Sequence, residues 1–425
     1  MTHDAHTQAV LIHVSGPDAP GIAAQLTQIL TEYDVRILDI GQAQVYESLA
    51  LAFLVEIAAP AGLAPLQSAL EEQAQALGLQ IRLKPVEQSA LEAWLRGQHP
   101  DRMLVTLLGP AITARDLARV TAIIARHGMN IDRIERLSAR LSGSLAPGEI
   151  PASACPLYAC VELALSGALL DEPALRAEFL AAAQELSIDI AFQRESIFRR
   201  NRRLFVFDMD STLIQGEVID ELAKMAGVGE QVSKITEAAM RGELDFDQSF
   251  TRRLGLLRGL PAERALSLLN AIPLADGAER LMATLKLLGY RTAILSGGFN
   301  FFARSLQQRL GIDEFHANEL EIVDGAVTGR VIPPIMNGAR KAEKLKEIAH
   351  RENFSLEQVV AVGDGANDLP MLGLAGMGIA YRAKPLVRAK ADHSISRLGL
   401  DGLLYLIGVR DHDLAPHSPR KTVSS

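Results

Sequence analysis

Two short apolar runs, each ending in a cluster of aspartates, constrain this chain more than any other feature. Leu204-Phe205-Val206-Phe207 runs into Asp208-Met209-Asp210-Ser211-Thr212, and Val359-Val360-Ala361-Val362 runs into Gly363-Asp364-Gly365-Ala366-Asn367-Asp368. Four apolar residues in a row leave no polar face. Each run therefore predicts a strand buried on both sides, as in a parallel sheet covered by helices. Residues 291–295, 378–381 and, more weakly, 392–395 read as further strands of the same sheet, with helical patterns between them.

The first half of the chain repeats itself. Val10-Leu11-Ile12-His13-Val14 before Gly16-Pro17 matches Leu104-Val105-Thr106-Leu107-Leu108 before Gly109-Pro110. Each run leads to an amphipathic helix (22–33; 114–127), an Ile-rich stretch (35–40; 129–134) and another strand (50–58; 157–165). A second helix (65–77; 172–186) and a last strand (79–83; 188–192) complete each copy. Both copies predict β-α-β-β-α-β, the ferredoxin-like arrangement. The expected organisation is one such domain over 1–90, another over 101–198, and an α/β parallel-sheet, Rossmann-like domain over 199–410. Residues 215–273 form a helical insertion placed as a cap, and the polar 411–425 is expected to be a disordered tail.

Smaller features are ordinary. Residues 142–154, rich in Gly, Pro, Ser and Ala, predict a surface loop. Residues 88–100 join the two repeats, and Trp94, the only tryptophan, is expected to anchor that linker by packing. Arg199-Arg200-Asn201-Arg202-Arg203 reads as a solvated linker with one or two arginines ion-paired between domains. Nucleic-acid binding is the alternative, but a net charge of -8 lacks the broad basic surface it needs. No stretch approaches ~20 uninterrupted apolar residues, so no membrane span is expected. The polar first residues do not read as a secretory signal, and the cytoplasm is the expected compartment. The two cysteines, Cys155 and Cys160, read as inert packing residues.

Ligands of a parallel α/β sheet gather at the carboxyl ends of its strands. Here three strands deliver Asp208 with Asp210, Ser296, and Asp364 with Asp368 to that edge. Singly each motif is ordinary: Asp-x-Asp and Gly-Asp-Gly are turn chemistry, and Lys341 has lysine neighbours. Together, Asp208-Met209-Asp210-Ser211-Thr212, Ser296-Gly297-Gly298, Lys341 and Gly363-Asp364-Gly365-Ala366-Asn367-Asp368 resemble the four signature motifs of the haloacid dehalogenase (HAD) phosphatases. Within that superfamily, Glu217-Val218-Ile219-Asp220-Glu221-Leu222-Ala223 and the run from Val362 to Leu369 are similar to the phosphoserine phosphatase family.

The resemblance implies Mg²⁺ held by Asp208, Asp364, Asp368 and the Asp210 backbone carbonyl, an all-oxygen set suited to that ion. It implies Asp208 as nucleophile and Asp210 as general acid and base. Ser296, Lys341 and backbone N–H groups near Met209, Asp210 and Gly297 would hold the phosphoryl oxygens, with Asn367 also at the substrate. For O-phospho-L-serine, Glu217 would receive the ammonium and Arg253 the carboxylate, while Met240 and Phe246 exclude water. Read without the resemblance, Glu217 could equally cap a helix, Arg253 be solvated, and Met240 and Phe246 be cap core.

The repeats resemble ACT domains, amino-acid-binding regulatory modules. Gly16-Pro17-Asp18-Ala19-Pro20-Gly21-Ile22 carries the likeness, and the second copy lacks the equivalents of Asp18 and Gly21. This implies an L-serine effector near Asp18 and Gly21, or repeats that serve only to make a homodimer. Two rivals remain: a phosphatase or phosphotransferase for another small phosphomonoester, and an amino-acid sensor whose phosphatase half is a scaffold.

Overall fold

The structure, a computed structural model, describes residues 7–58, 63–96, 102–139 and 158–414. The chain divides into two compact units, Met1–Pro100 and Asp101–Ser425.

The first unit runs β1 (Thr7–Pro17), α1 (Ile22–Glu32), β2 (Arg36–Val45), β3 (Ser48–Ala58), α2 (Leu63–Ala76), β4 (Gln80–Val86) and α3 (Gln88–Arg96). Its antiparallel sheet has the order β2-β3-β1-β4. Alternation sets the core: every second residue of β3, from Leu49 to Ile57, is buried against Leu26, Leu30, Leu66 and Leu70 of the two helices. Trp94 departs from expectation. It lies on α3 and is 42% exposed, so it does not anchor the linker by burial.

The second unit opens with β5 (Met103–Gly109), α4 (Ala114–Arg126), β6 (Asn130–Arg136), β7 (Ala159–Ser166), α5 (Glu172–Leu186) and β8 (Asp189–Arg194). These strands form a second antiparallel sheet, β6-β7-β5-β8. A capping box in which Thr113 and Asp116 satisfy each other's backbone N–H groups starts α4. This sheet shares a core with the C-terminal part of the unit, because Leu108, Leu137, Cys160 and Ala191 pack in one cluster with Phe205, Phe207 and Leu213. The Asp189 carboxylate accepts from Ser396 N at 2.9 Å and Arg397 N at 2.8 Å.

The basic run holds the expected ion-paired arginine, and two of its arginines are buried rather than solvated. Arg199 and Arg202 are 2% and 7% exposed, and Arg199 pairs with Glu162 of β7. A carboxylate buried in a strand needs a cation, and Arg199 supplies it. Cys160 is a buried free thiol whose pKa is pushed up, first by burial and then by Glu162. Cys155 and residues 142–154 lie outside the described residues.

The third sheet has seven strands in the order β12-β11-β10-β9-β13-β14-β15. They are β9 (Leu204–Phe207), β10 (Arg291–Phe299), β11 (Glu314–Val323), β12 (Ala326–Ile332), β13 (Val359–Gly363), β14 (Met377–Tyr381) and β15 (His393–Ile395). All pairs are parallel except β11 with β12. All four side chains of central β9 are fully buried, worth about 2 kcal/mol each in transfer free energy. The β11–β12 hairpin is absent from the sequence expectation.

Between β9 and β10 the chain leaves the sheet as α6 (Val218–Ala226), α7 (Gly229–Met240), α8 (Phe246–Gly255) and α9 (Ala262–Ser267). The two ends of this insertion meet where Ile214 bridges to Leu274 and Gln215 N donates to Pro273 O. Helix α10 (Ala278–Leu287) leads into β10, α11 (Asn300–Leu310) leaves it, and α12 (Gly338–Arg351) comes after β12. The expected tail is partly ordered. Residues Asp411–Leu414 are helical, and Asp411 accepts from Arg280, Tyr405 and Ala139 N. Residues 415–425 lie outside the described residues. Among the described residues no helix is long and apolar enough to cross a membrane.

Candidate active site

The parallel register brings the acidic motifs together. Phe207 pairs with Val362 on one side and Ile294 on the other, so the chain leaves β9, β10 and β13 at one edge. Asp208 N donates to Val362 O at 2.9 Å, continuing the ladder by one residue. Carboxylate oxygens of Asp208, Asp364 and Asp368 then lie within 4.8 Å of one another. Lys341, fully buried on the first turns of α12, reaches Asp208 Oδ1 at 2.8 Å and Asp368 Oδ1 at 2.7 Å.

Burial makes this cluster electrostatically costly. Desolvation, then Asp368, pushes Asp208 up to about 7 against the pull of Lys341. Desolvation, then Asp208, Asp368 and Glu217, pushes Asp364 up to about 8. For Lys341, desolvation favours the neutral amine, but Asp208 and Asp368 outweigh it and its pKa rises. Asp210 is raised well above the carboxylate range by burial, then by Glu217 and Asp208. One lysine cannot neutralise four carboxylates packed so closely.

Hydrogen bonds orient each group. Asp208 Oδ1 accepts from Met209 N at 2.7 Å as well as from Lys341, which leaves Oδ2 free of those donors. Asp210 Oδ1 accepts from Val218 N at 2.9 Å, at the first residue of α6. Ser211 reaches this turn with φ of 56°, in the left-handed region. Asp368 Oδ2 accepts from Gly365 N at 2.9 Å. Ser296 Oγ accepts from Gly298 N at 2.9 Å.

A cavity of about 1130 Å³ opens over the cluster. Asp208, Asp210, Glu217, Phe246, Arg253, Gly297, Asp364 and Asn367 line it, while Ser296, Lys341 and Asp368 are buried. Glu217 is the residue before α6 but makes no side-chain cap. Its carboxylate accepts instead from Ser211 Oγ at 3.3 Å. Arg253 Nε is buried without a hydrogen-bond partner. Phe246 stacks on Phe250 with centroids 5.8 Å apart. The Met240 side chain lies outside the described residues, though its helix neighbour Ala239 lines the cavity. In the first unit, Gly21 starts α1 at φ 94° with no side-chain cap, and exposed Asp18 accepts from Gln44 Nε2 at 2.7 Å.

Some polar contacts at the site receive no role from the sequence. Buried Thr212 donates to Asp364 Oδ1 at 3.3 Å. Asn337 caps α12 by accepting from Arg340 N at 3.1 Å and donates to Asp247 of α8 at 3.1 Å, joining the insertion to the sheet domain. Asn318 donates to Gly297 O at 2.7 Å. An Asn shortly before a helical Lys signals a cap, but nothing local announces Asn318.

Known proteins resemble this chain over most of its length. Residues 205–373 match the haloacid dehalogenase-like hydrolase family, and residues 8–84 match the ACT domain. A phosphoserine phosphatase of Streptomyces coelicolor is 40% identical over 413 residues, covering 96% of this chain and 94% of that protein. One from Mycobacterium tuberculosis is 38% identical over 404 residues, covering 94% and 93%. The crystal structure of a HAD family hydrolase from Salmonella enterica serovar Typhi superposes with a TM-score of 0.59 at 31% identity, covering 72% of this chain and 99% of that one. With near full-length similarity and a HAD sheet carrying its acidic edge, this chain belongs to the phosphoserine phosphatase family of the haloacid dehalogenase-like hydrolases.

Proposed function

We propose that this chain hydrolyses O-phospho-L-serine to L-serine and phosphate through a phosphorylated Asp208. The observation that carries the reading is one cavity holding an acidic cluster with its lysine at the floor and two opposite charges, Glu217 and Arg253, on its wall. A zwitterionic head group needs that pairing of an anion with a cation. The orphaned Arg253 Nε suits a carboxylate, which accepts two parallel N–H bonds from a guanidinium.

The oxygen-only donors of Asp208, Asp364 and Asp368, with the Asp210 carbonyl, suit Mg²⁺, and their mutual repulsion is relieved by a divalent cation. That ion, when bound, would offset charge on the phosphoryl oxygens and the acidic cluster. Asp208 Oδ2 attacks phosphorus in line, the bond to the seryl oxygen breaks, and Asp210 gives that oxygen its proton. Burial, then Glu217 and Asp208, raises the Asp210 carboxyl and so favours the protonated form that the acid step needs. Water then attacks the aspartyl-phosphate, Asp210 takes the proton back, and Asp208 is regenerated. Lys341 supplies a fixed positive charge beside Asp208. Ser296, whose oxygen already accepts from Gly298, has its own proton to donate to a phosphoryl oxygen.

The ACT match over residues 8–84 supports an amino-acid effector on the first unit, with L-serine at the uncapped start of α1 near Asp18 and Gly21. Phosphate release from L-phosphoserine, phosphothreonine and sugar phosphates, with Mg²⁺ and with chelator, tests the catalytic reading. L-Phosphoserine should be turned over fastest and only with the metal. Faster turnover of a sugar phosphate would contradict the assignment of Glu217 and Arg253.

A further inference from the structure

The loop Ser296-Gly297-Gly298 is held from a side the proposed mechanism does not use. Gly298 N–H donates to Ser296 Oγ at 2.9 Å, while the carbonyl of the same peptide unit, Gly297 O, accepts from Asn318 Nδ2 at 2.7 Å. The N–H and C=O of a trans peptide point in opposite directions within one plane. The two contacts therefore hold that plane at both ends.

Asn318 is 1% exposed on β11, and its Oδ1 accepts from Met336 N at 2.8 Å. Gly297 O can only accept and Met336 N can only donate, so the amide has a single satisfied orientation. Met336 is followed by Asn337, the cap of the helix that carries Lys341. One buried amide thus ties the Ser296 loop to the approach of the Lys341 helix. The loop has little room elsewhere. A Cβ on Gly297 would lie 2.8 Å from Phe246 Cζ, and one on Gly298 would collide with Asp210 Oδ2.

We propose that Asn318 is a positioning residue for phosphoryl transfer, fixing the Gly297–Gly298 peptide so that Ser296 Oγ, held by Gly298 N–H, and the Gly297 N–H stay aimed at the phosphoryl oxygens. The inference rests on the proposed phosphoserine hydrolysis. Asn318 is buried and is not among the residues that line the cavity, so its effect passes through that peptide. A small misplacement of donors costs about 10²-fold in rate when the chemistry depends on geometry.

The test uses the full chain with Asn318→Asp, which keeps shape and the acceptor for Met336 N, and Asn318→Leu, which removes both contacts. The expected result is a kcat for L-phosphoserine lowered roughly 10- to 100-fold with KM little changed. Both variants should melt below the parent, because each leaves a buried donor or acceptor unpaired, so kcat is taken per folded enzyme at a temperature where all variants are folded. Combined with Ser296→Ala, the loss should fall well short of the product of the single losses, because both side chains hold one peptide. A merely structural side chain would lower melting and leave kcat per folded enzyme intact. Near-parental kcat in folded variants, or losses that multiply fully, would overturn the proposal. A parent chain that fails to hydrolyse L-phosphoserine would instead refute the catalytic reading.

Discussion

Lys341→Met is the substitution whose consequences emerge most directly from the geometry. The ammonium lies 2.8 Å from Asp208 Oδ1 and 2.7 Å from Asp368 Oδ1 with no exposure to solvent. At an effective dielectric near 20, each contact amounts to about 6 kcal/mol of Coulomb attraction, most of it offset by desolvation. Removing one partner of such a buried group typically costs about 3–5 kcal/mol, because the remaining charges are left uncompensated. The carboxylates can escape part of that cost by binding protons.

The pH dependence then has a definite sign. Asp208 already titrates near 7 in the folded protein, above its ordinary value of 3.8, and loss of Lys341 raises it further. A carboxyl raised on folding binds more protons in the native state, so stability falls as pH rises through the folded value. In chelator, the variant should melt well below the parent at pH 8. The gap should narrow by pH 5.5, each titrating carboxyl recovering up to about 1.4 kcal/mol per pH unit. With Mg²⁺ restored, kcat should fall about 10²–10³-fold or more, the usual cost of losing one charge-stabilising donor. A melting gap that is equal at both pH values, or turnover close to the parent's, would refute the reasoning.

Other substitutions probe separate parts of the site and fold. Arg253→Gln should raise KM for L-phosphoserine roughly 10- to 100-fold, the worth of a hydrogen-bonded charge, with far less effect on p-nitrophenyl phosphate. Equal effects on both substrates would remove the carboxylate role. Gly298→Ala would drive its Cβ into Asp210 Oδ2 and should cost about 10² in kcat while substrate binding persists. His393 is held neutral down to about 3, first by burial and then by Arg176 and Arg202. Its folded pKa lies below its unfolded value, so its contribution is complete above about pH 6.5 and drops about 1.4 kcal/mol per unit as pH falls below that. His393→Gln should flatten that slope by one proton, measured as melting temperature against pH. An unchanged slope would show that another group carries it.

The readable parts of the molecule are those with strong local signals. β9 and β13 announce themselves as four apolar residues closed by aspartates, and both ferredoxin-like sheets follow from the repeated order of apolar runs and amphipathic helices, with clear alternation in β3. The β11–β12 hairpin escapes because Glu314, His316, Asn318, Glu319 and Glu321 dilute its apolar residues. Its own signal is present in Asp324-Gly325, whose φ values of 51° and 74° are those of a type I′ turn. Without the hairpin, Asn318 has no visible place in the site. Arg199 is one of the arginines expected to be ion-paired between domains, but its partner, Glu162, cannot be named from sequence because it sits inside an apolar strand of the second repeat. Such a pairing depends on how two sheets meet, which no local pattern encodes. Thr212 and Asn337 are likewise polar residues whose partners lie far along the chain.

The most direct test is to find where phosphorus goes. Acid quenching during turnover of radiolabelled L-phosphoserine, followed by peptide mapping, should recover the label on Asp208 and lose it in Asp208→Asn. Label on another residue, or continued turnover by Asp208→Asn, would contradict the account.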